Sequence, residues 1–319
     1  MSRTVRIALV GAGRTRQGLG PYVARDLQAA GAEVVAFCTS GPTTVARAAA
    51  ALEAQGVSAR GHASLQALLE AEPELDALAI LTPPRHHGEG LEAALARGLH
   101  ALCEKPLGLE PVEQVRDLIV RFGERRLALL ENCQWPATLG TAAVVLGRSL
   151  AEPPGRFAMG LTPEGQGRKL LEDSLSHPLS LLQHLHGAEG GRAAGLECEG
   201  VEVDRWRSGF RLAFSVRGPR GTTRCEVELD PAAISPKPAW YSLDEERLDR
   251  RIDPATYAMQ LAGPERACAI PDPLTVHLAA VTRVLAATLS GSAAPPVDEL
   301  LERATLLDRL LAAFDARHP

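Results

Sequence analysis

Val5-Arg6-Ile7-Ala8-Leu9-Val10-Gly11-Ala12-Gly13 decides the fold. An apolar run of this length that stops on glycines reads as a buried strand feeding a tight turn. The grammar then repeats. Gly18 and Gly20 lead into a helix through Ala24, Leu27 and Ala30 that closes at Gly31. Val34 to Cys38 reads as a second strand, Thr43 to Gln55 as an alanine-rich helix, and Leu75 to Leu81 as a strand stopped by Pro83-Pro84. Glu89 to Arg97 is a helix ended by Gly98, where a left-handed cap is expected. His100 to Cys103 is the next strand, Pro111 to Phe122 a helix, and Leu127 to Asn132 a strand. Short apolar strands alternating with helices predict a parallel sheet covered on both faces.

Beyond about residue 133 the rhythm changes. Val201 to Trp206, Phe210 to Val216 and Thr223 to Leu229 read as successive strands joined by glycine-bearing turns, hence an antiparallel sheet. Two last helices, about Pro273 to Ser290 and Asp298 to Ala316, pack beside that sheet or return to the first domain. The chain therefore reads as α/β: a dinucleotide-binding Rossmann domain over residues 1–133, and an α+β domain with an open, mostly antiparallel sheet over 134–319. The second domain is assigned to substrate binding and self-association, because a sheet with one open apolar face invites a homodimer or homotetramer.

The 319 residues, 45% hydrophobic, are enough for a core in each domain. A net charge of -5 without any basic run excludes a nucleic-acid footprint. Cysteines at 38, 103, 133, 198, 225 and 268 form no CxxC pair, so neither a disulfide framework nor a metal site is indicated. No apolar run reaches the roughly 18 residues of a membrane span, and a first strand so near Met1 leaves no room for a signal peptide. The expectation is a cytoplasmic protein with a small-molecule substrate.

Glycines at the first strand-to-helix turn let backbone approach a pyrophosphate, whose charge the helix amino terminus favours. Gly11 and Gly13 fit that role, but the usual third glycine position is Arg16, so the loop is longer or differently shaped. The end of the second strand, Phe37-Cys38-Thr39-Ser40-Gly41, carries no acid to hold a ribose 2′-hydroxyl. Thr39 and Ser40 with Arg14, Arg16 and Arg47 suit a 2′-phosphate, which predicts NADP, with NAD as the alternative.

Only three lysines, Lys105, Lys169 and Lys237, stand against an arginine-rich background. Lys105, between Glu104 and Pro106 at the end of an apolar strand, points to a need for an ammonium that exchanges protons, as arginine does not. Asp173 and His177 lie four residues apart, and Pro178 predicts that the following helix begins just past His177. An imidazole at a helix start with a carboxylate able to orient it is a proton acceptor near neutral pH; a capping aspartate with a packed histidine is the plainer alternative.

These residues together resemble the Gfo/Idh/MocA oxidoreductases. The resemblance rests on Val10-Gly11-Ala12-Gly13, on Thr82-Pro83-Pro84-Arg85-His86-His87, on the run from Ala94 to Leu107 through Cys103-Glu104-Lys105-Pro106, and on Asp173 with His177. Asp272-Pro273-Leu274 and the helices after it resemble the family's carboxyl end. The resemblance implies that Thr82 and Pro83 line the nicotinamide side, with His87 in the cofactor set, and that Glu104 and Lys105 bridge cofactor and substrate. It implies that Lys105 bonds the reacting oxygen, that His177 takes or gives its proton, and that Asp173 holds the substrate or the histidine. Two departures fall on the substrate side: Ser180 replaces a frequent aspartate, and the segment from Trp135 to Asp173 is short. The implied function is an NAD(P)-dependent oxidoreductase acting on a hydroxyl or carbonyl of a sugar, polyol or related metabolite. A non-catalytic dinucleotide-binding regulator and an imine reductase are the alternatives on the same scaffold.

Overall fold

Arg6–Val10 forms strand β1, in which Ile7, Ala8 and Leu9 are wholly buried. The computed structural model describes residues 3–13, 18–187 and 192–318. After β1 come α1 (Gly20–Ala29), β2 (Glu33–Cys38), α2 (Pro42–Glu53), β3 (Arg60–His62), α3 (Leu65–Ala71), β4 (Ala77–Ile80), α4 (His87–Arg97), β5 (His100–Cys103), α5 (Val112–Glu124) and β6 (Leu129–Glu131). The strands form a parallel six-stranded sheet in the order β3-β2-β1-β4-β5-β6. The near-continuous apolar runs seen in the sequence are what a sheet covered on both faces demands. Strand order reverses between β1 and β4, and in such sheets ligands bind where the order reverses, outside the carboxyl ends of the strands.

The second sheet has eight strands. Its elements are α6 (Leu139–Leu146), β7 (Arg156–Leu161), α7 (Arg168–Glu172), α8 (Ser176–Leu185), β8 (Glu197–Trp206), β9 (Gly209–Gly218), β10 (Gly221–Leu229), β11 (Ala239–Leu243), β12 (Glu246–Ile252), β13 (Met259–Ala262) and β14 (Ala267–Ile270). The order is β14-β13-β12-β11-β7-β10-β9-β8, antiparallel except for the β7–β10 pair. Phe210, Leu212, Phe214 and Val216 alternate inward along β9, and they share one core with Leu179, Leu182 and Leu185 of α8. The expected fold class is thus observed, an amino-terminal Rossmann sheet followed by an open, mostly antiparallel one.

The division of the chain differs from the single boundary expected from the sequence. The last helices are α9 (Pro273–Leu289) and α10 (Val297–Arg317), and they divide between the units. One compact unit is Met1–Asn132 with Leu274–Val297, and the other is Cys133–Pro273 with Asp298–Pro319, so a single cut after residue 133 misplaces α9. Leu274, Leu278, Val281 and Leu285 make one helical stripe and join the core of Ile7, Leu9 and Leu27. Thr275 Oγ1 also donates to the buried Asp26 Oδ2 at 2.9 Å. The sheet face opposite the helices carries ion pairs: Arg211 pairs with Glu226 and Glu228, Arg247 pairs with Asp249, and Arg247 also lies over Trp240.

Candidate active site

The turn after β1 is built by what its glycines lack. Gly11 has φ +90°, and a Cβ there would fall 2.8 Å from Thr82 Cγ2 and 2.9 Å from the Thr82 nitrogen. A Cβ on Gly13 would meet Thr39 Cγ2 at 3.0 Å. α1 begins only at Gly20, where a Cβ would fall 3.1 Å from Ala12 Cα. The close helix–strand contact usually made by a third glycine is therefore displaced to Gly20, and the loop is longer. Arg14 and Arg16 lie outside the described residues.

At the end of β2, Thr39 Oγ1 donates to the Gly41 carbonyl at 3.1 Å, and the Thr44 hydroxyl reaches Thr39 Oγ1 at 2.8 Å. Ser40 is exposed. Arg47 Nη2 donates to the Gly13 carbonyl at 3.1 Å, which brings a guanidinium from α2 onto the glycine turn. Burial pushes the Cys38 thiol up to about 11, so the end of this strand carries no negative charge of its own.

Between β4 and α4 the chain passes Thr82 and Pro83, both half-buried, and the Thr82 hydroxyl oxygen is buried with no hydrogen-bond partner among the described residues. His87 is wholly buried, with Nδ1 2.9 Å from the Pro106 carbonyl and Nε2 2.9 Å from the Thr82 carbonyl. The ring lies between these two carbonyls, so His87 braces the Thr82 and Pro106 turns.

After β5, Glu104 and Lys105 are half-buried, and the Lys105–Pro106 peptide is cis. Asn132 Nδ2 donates to Glu104 Oε1, and the Leu107 amide donates to Glu131 Oε1 at 3.0 Å. Glu131 and Asn132 went unnoticed as site residues in the sequence, although an acid and an amide closing an otherwise apolar strand are the mark of a polar strand end. Asn132 Oδ1 is buried without a partner.

Asp173 and His177 belong to the second unit, Lys105 and Glu104 to the first. Asp173 closes α7, its amide donating to the Lys169 carbonyl at 3.0 Å. α8 starts at Ser176, so His177 sits inside the first turn and not just before it. Pro178 permits this because amides in the first turn have no partner within the helix. The Trp135 ring meets His177 edge-on at 6.3 Å and Tyr241 at 6.1 Å. Tyr241 shares a 3.1 Å hydrogen bond with Thr138 Oγ1, and burial pushes its hydroxyl up to about 12. Ser180 is buried, its hydroxyl donating to the His177 carbonyl at 2.8 Å. Among the described residues no cluster of three or more His, Cys, Asp or Glu is placed to hold a metal ion. No helix among them is long and apolar enough to cross a membrane.

Residues 5–132 match the model of the Gfo/Idh/MocA group, described as an oxidoreductase family with an NAD-binding Rossmann fold. Inositol 2-dehydrogenase 4 of Saccharopolyspora erythraea is 28% identical over 245 residues, covering 73% of this chain and 63% of the relative. The chain spans less than two thirds of the length of the curated relatives it matches. Among solved structures, a 3-ketoreductase from Actinomadura kijaniata in complex with NADP and TDP-benzene shares the fold with a TM-score of 0.69 at 19% identity, over 98% of each chain. An oxidoreductase from Agrobacterium radiobacter in complex with NAD+, L-tartaric acid and magnesium does so with a TM-score of 0.67 at 14% identity, over 99% of this chain and 98% of its own.

Proposed function

We propose that this chain, whose residues 5–132 match the Gfo/Idh/MocA oxidoreductase model, is a member of that family and a dehydrogenase or reductase acting on a hydroxyl or carbonyl carbon of a sugar, polyol or related small metabolite. The observation that carries this reading is the close packing of the Gly11 turn on Thr82 at the reversal of strand order, where a Cβ would collide with Thr82 and where sheets of this kind bind their ligands. The buried, orphaned Thr82 hydroxyl at the same point is a polar atom in want of a partner. Both fit the cofactor the family name implies. The names of the relatives, an inositol dehydrogenase and a 3-ketoreductase, support the substrate class.

When bound, the nicotinamide supplies the hydride acceptor or donor. In this reading Gly11 and Gly13 admit the pyrophosphate to the backbone. Thr39, Ser40, Arg14 and Arg47 take the ribose end, with NADP favoured because nothing acidic occupies residues 38–41. Thr82 and Pro83 line the nicotinamide side. Glu104, its carboxylate fixed by Asn132, and Lys105 face the substrate. Lys105 Nζ donates a hydrogen bond to the reacting oxygen and favours its anionic form, and His177 takes or returns the proton with Asp173 orienting it. Six cysteines outside any disulfide, five of them buried, suit a reducing cytoplasm. The working form is proposed as a homodimer or homotetramer.

Titration with NADPH and NADH, followed by a screen of polyols and carbonyl compounds with the wild type and Lys105→Ala, tests the reading. Turnover lost in the variant with dinucleotide binding kept supports it. Tight dinucleotide binding with no turnover on any compound would refute it.

A further inference from the structure

Arg250 interrupts the apolar face of the second sheet. On β12 it lies in register with Ala239 of β11 and Leu261 of β13, both buried, and Leu248, two residues earlier on the same face, is wholly buried. A strand position with such neighbours calls for an aliphatic side chain. The guanidinium instead lies 4.8 Å over the Trp135 ring, and that same ring meets His177 edge-on. Arg250 Nη2 donates to the Lys237 carbonyl at 3.1 Å, while Nε is buried and has no partner among the described residues. Burial lowers the pKa of Arg250 to about 10, and no carboxylate among the described residues pairs with it. A desolvated guanidinium without a counter-ion is costly to fold around unless something pairs with it.

We propose that Arg250 is an anion receptor, and that the substrate of this chain carries a carboxylate or phosphoryl group besides its reacting hydroxyl or carbonyl. Nε and an Nη form the planar fork that matches two oxygens of an oxyanion. Trp135 holds the fork flat and keeps water from one side of it. The inference rests on the reading of His177 as the proton-transferring group, since Trp135 is what links Arg250 to that residue. It narrows the substrate from polyols at large to acidic ones.

The test separates anion binding from turnover. Proton NMR of malonate and phosphorus NMR of inorganic phosphate measure binding to the full chain without cofactor, in the wild type, Arg250→Met and Arg250→Lys, with thermal unfolding recorded for each. Saturable binding of at least one anion is expected, weakened at least about tenfold in Arg250→Met. Binding by Arg250→Lys is expected to be intermediate, since it keeps the charge and loses the fork. Malonate alone would point to a carboxylate, phosphate alone to a phosphoryl group. No saturable binding by the wild type, or equal affinity in Arg250→Met, overturns the proposal. If Arg250→Met does not fold, undiminished binding by Arg250→Lys overturns it. With a substrate in hand, Arg250→Met raises KM for the acidic compound at near-constant kcat, and a wild-type preference for the neutral analogue overturns the proposal. Anion binding retained in a protein that shows no dinucleotide-dependent turnover supports the receptor and refutes the oxidoreductase reading instead.

Discussion

Gly11 and Thr82 stand so close that a single methyl on the glycine would fall 2.8 Å from Thr82 Cγ2. The glycine also holds φ +90°, a region that costs any other residue about 1 kcal/mol or more. Gly11→Ala is therefore expected to lower stability by about 1–3 kcal/mol and to weaken NADPH binding at least tenfold. Urea unfolding and nicotinamide fluorescence titration check the two effects separately, and unchanged affinity would show that the turn does not carry the cofactor.

His87 joins the Thr82 and Pro106 turns through its two ring nitrogens. His87→Leu fills similar space but removes the ring N–H that donates to one of the two carbonyls, a loss of about 1–3 kcal/mol. Dinucleotide affinity should fall with it, because Thr82 is no longer held. A variant as stable as the wild type would mean that the turns are fixed by other contacts.

Arg47 reaches the glycine turn from α2, and Ser40 is exposed beside it. If this end of the site takes a 2′-phosphate, Arg47→Ala weakens NADPH about tenfold and leaves NADH nearly unchanged, as one lost charge-assisted contact would do. Ser40→Asp should move the preference further toward NADH. The ratio of the two dissociation constants is the quantity to measure, and a ratio unmoved by either change rejects the NADP assignment.

The Ala128 amide donates to His100 Nδ1 at 2.9 Å, and burial lowers the His100 pKa below 6.5. Burial does the same to His186, with Arg220 adding to it. In the folded state these rings bind fewer protons than in the unfolded state as pH falls through 6.5, so their contribution to stability is complete above that value and is lost below it. The urea midpoint is expected to drop between about pH 7.5 and about pH 5.5, less steeply in His100→Asn, which keeps an acceptor for Ala128 and does not titrate. An equal slope in the variant would assign the effect elsewhere.

Five of the six cysteines are buried, and burial raises the thiols of Cys38, Cys103, Cys198 and Cys225. Thiolate is the reactive form. A disulfide reagent should therefore find one fast thiol in the native protein, the half-buried Cys268, and all six in denaturant. Cys268→Ser removes the fast phase, and a second fast thiol in that variant would reveal an opening that the structure does not show.

The first unit was legible because its signals are local. β1, β2, β4 and β5 are apolar runs with a glycine or proline stop within a few residues, and the Gly98 cap and the Glu104-Lys105-Pro106 strand end each need only a few consecutive residues. The second unit was legible only where strands alternate cleanly, as β9 and β10 do. β7 and β11 to β14 were missed, because four to seven residues of mixed polarity between loops look alike whether paired or not. Asp173 and His177 were picked out as a pair, but the helix start at Ser176 was not, since the residue before a proline only leans away from helical geometry.

The sequence by itself determined the alternating Rossmann half and the glycine turn, and it nominated Lys105, Asp173 and His177 as candidates, because periodicity, glycine stops and residue chemistry act over a few neighbours. Tertiary structure alone decided three things. It assigned α9 to the first core, it set β7 between β10 and β11 some seventy residues away, and it turned Arg250 inward onto Trp135. Each depends on which distant segment buries a given face, and a strand carries its two faces in the sequence without saying which partner will cover them.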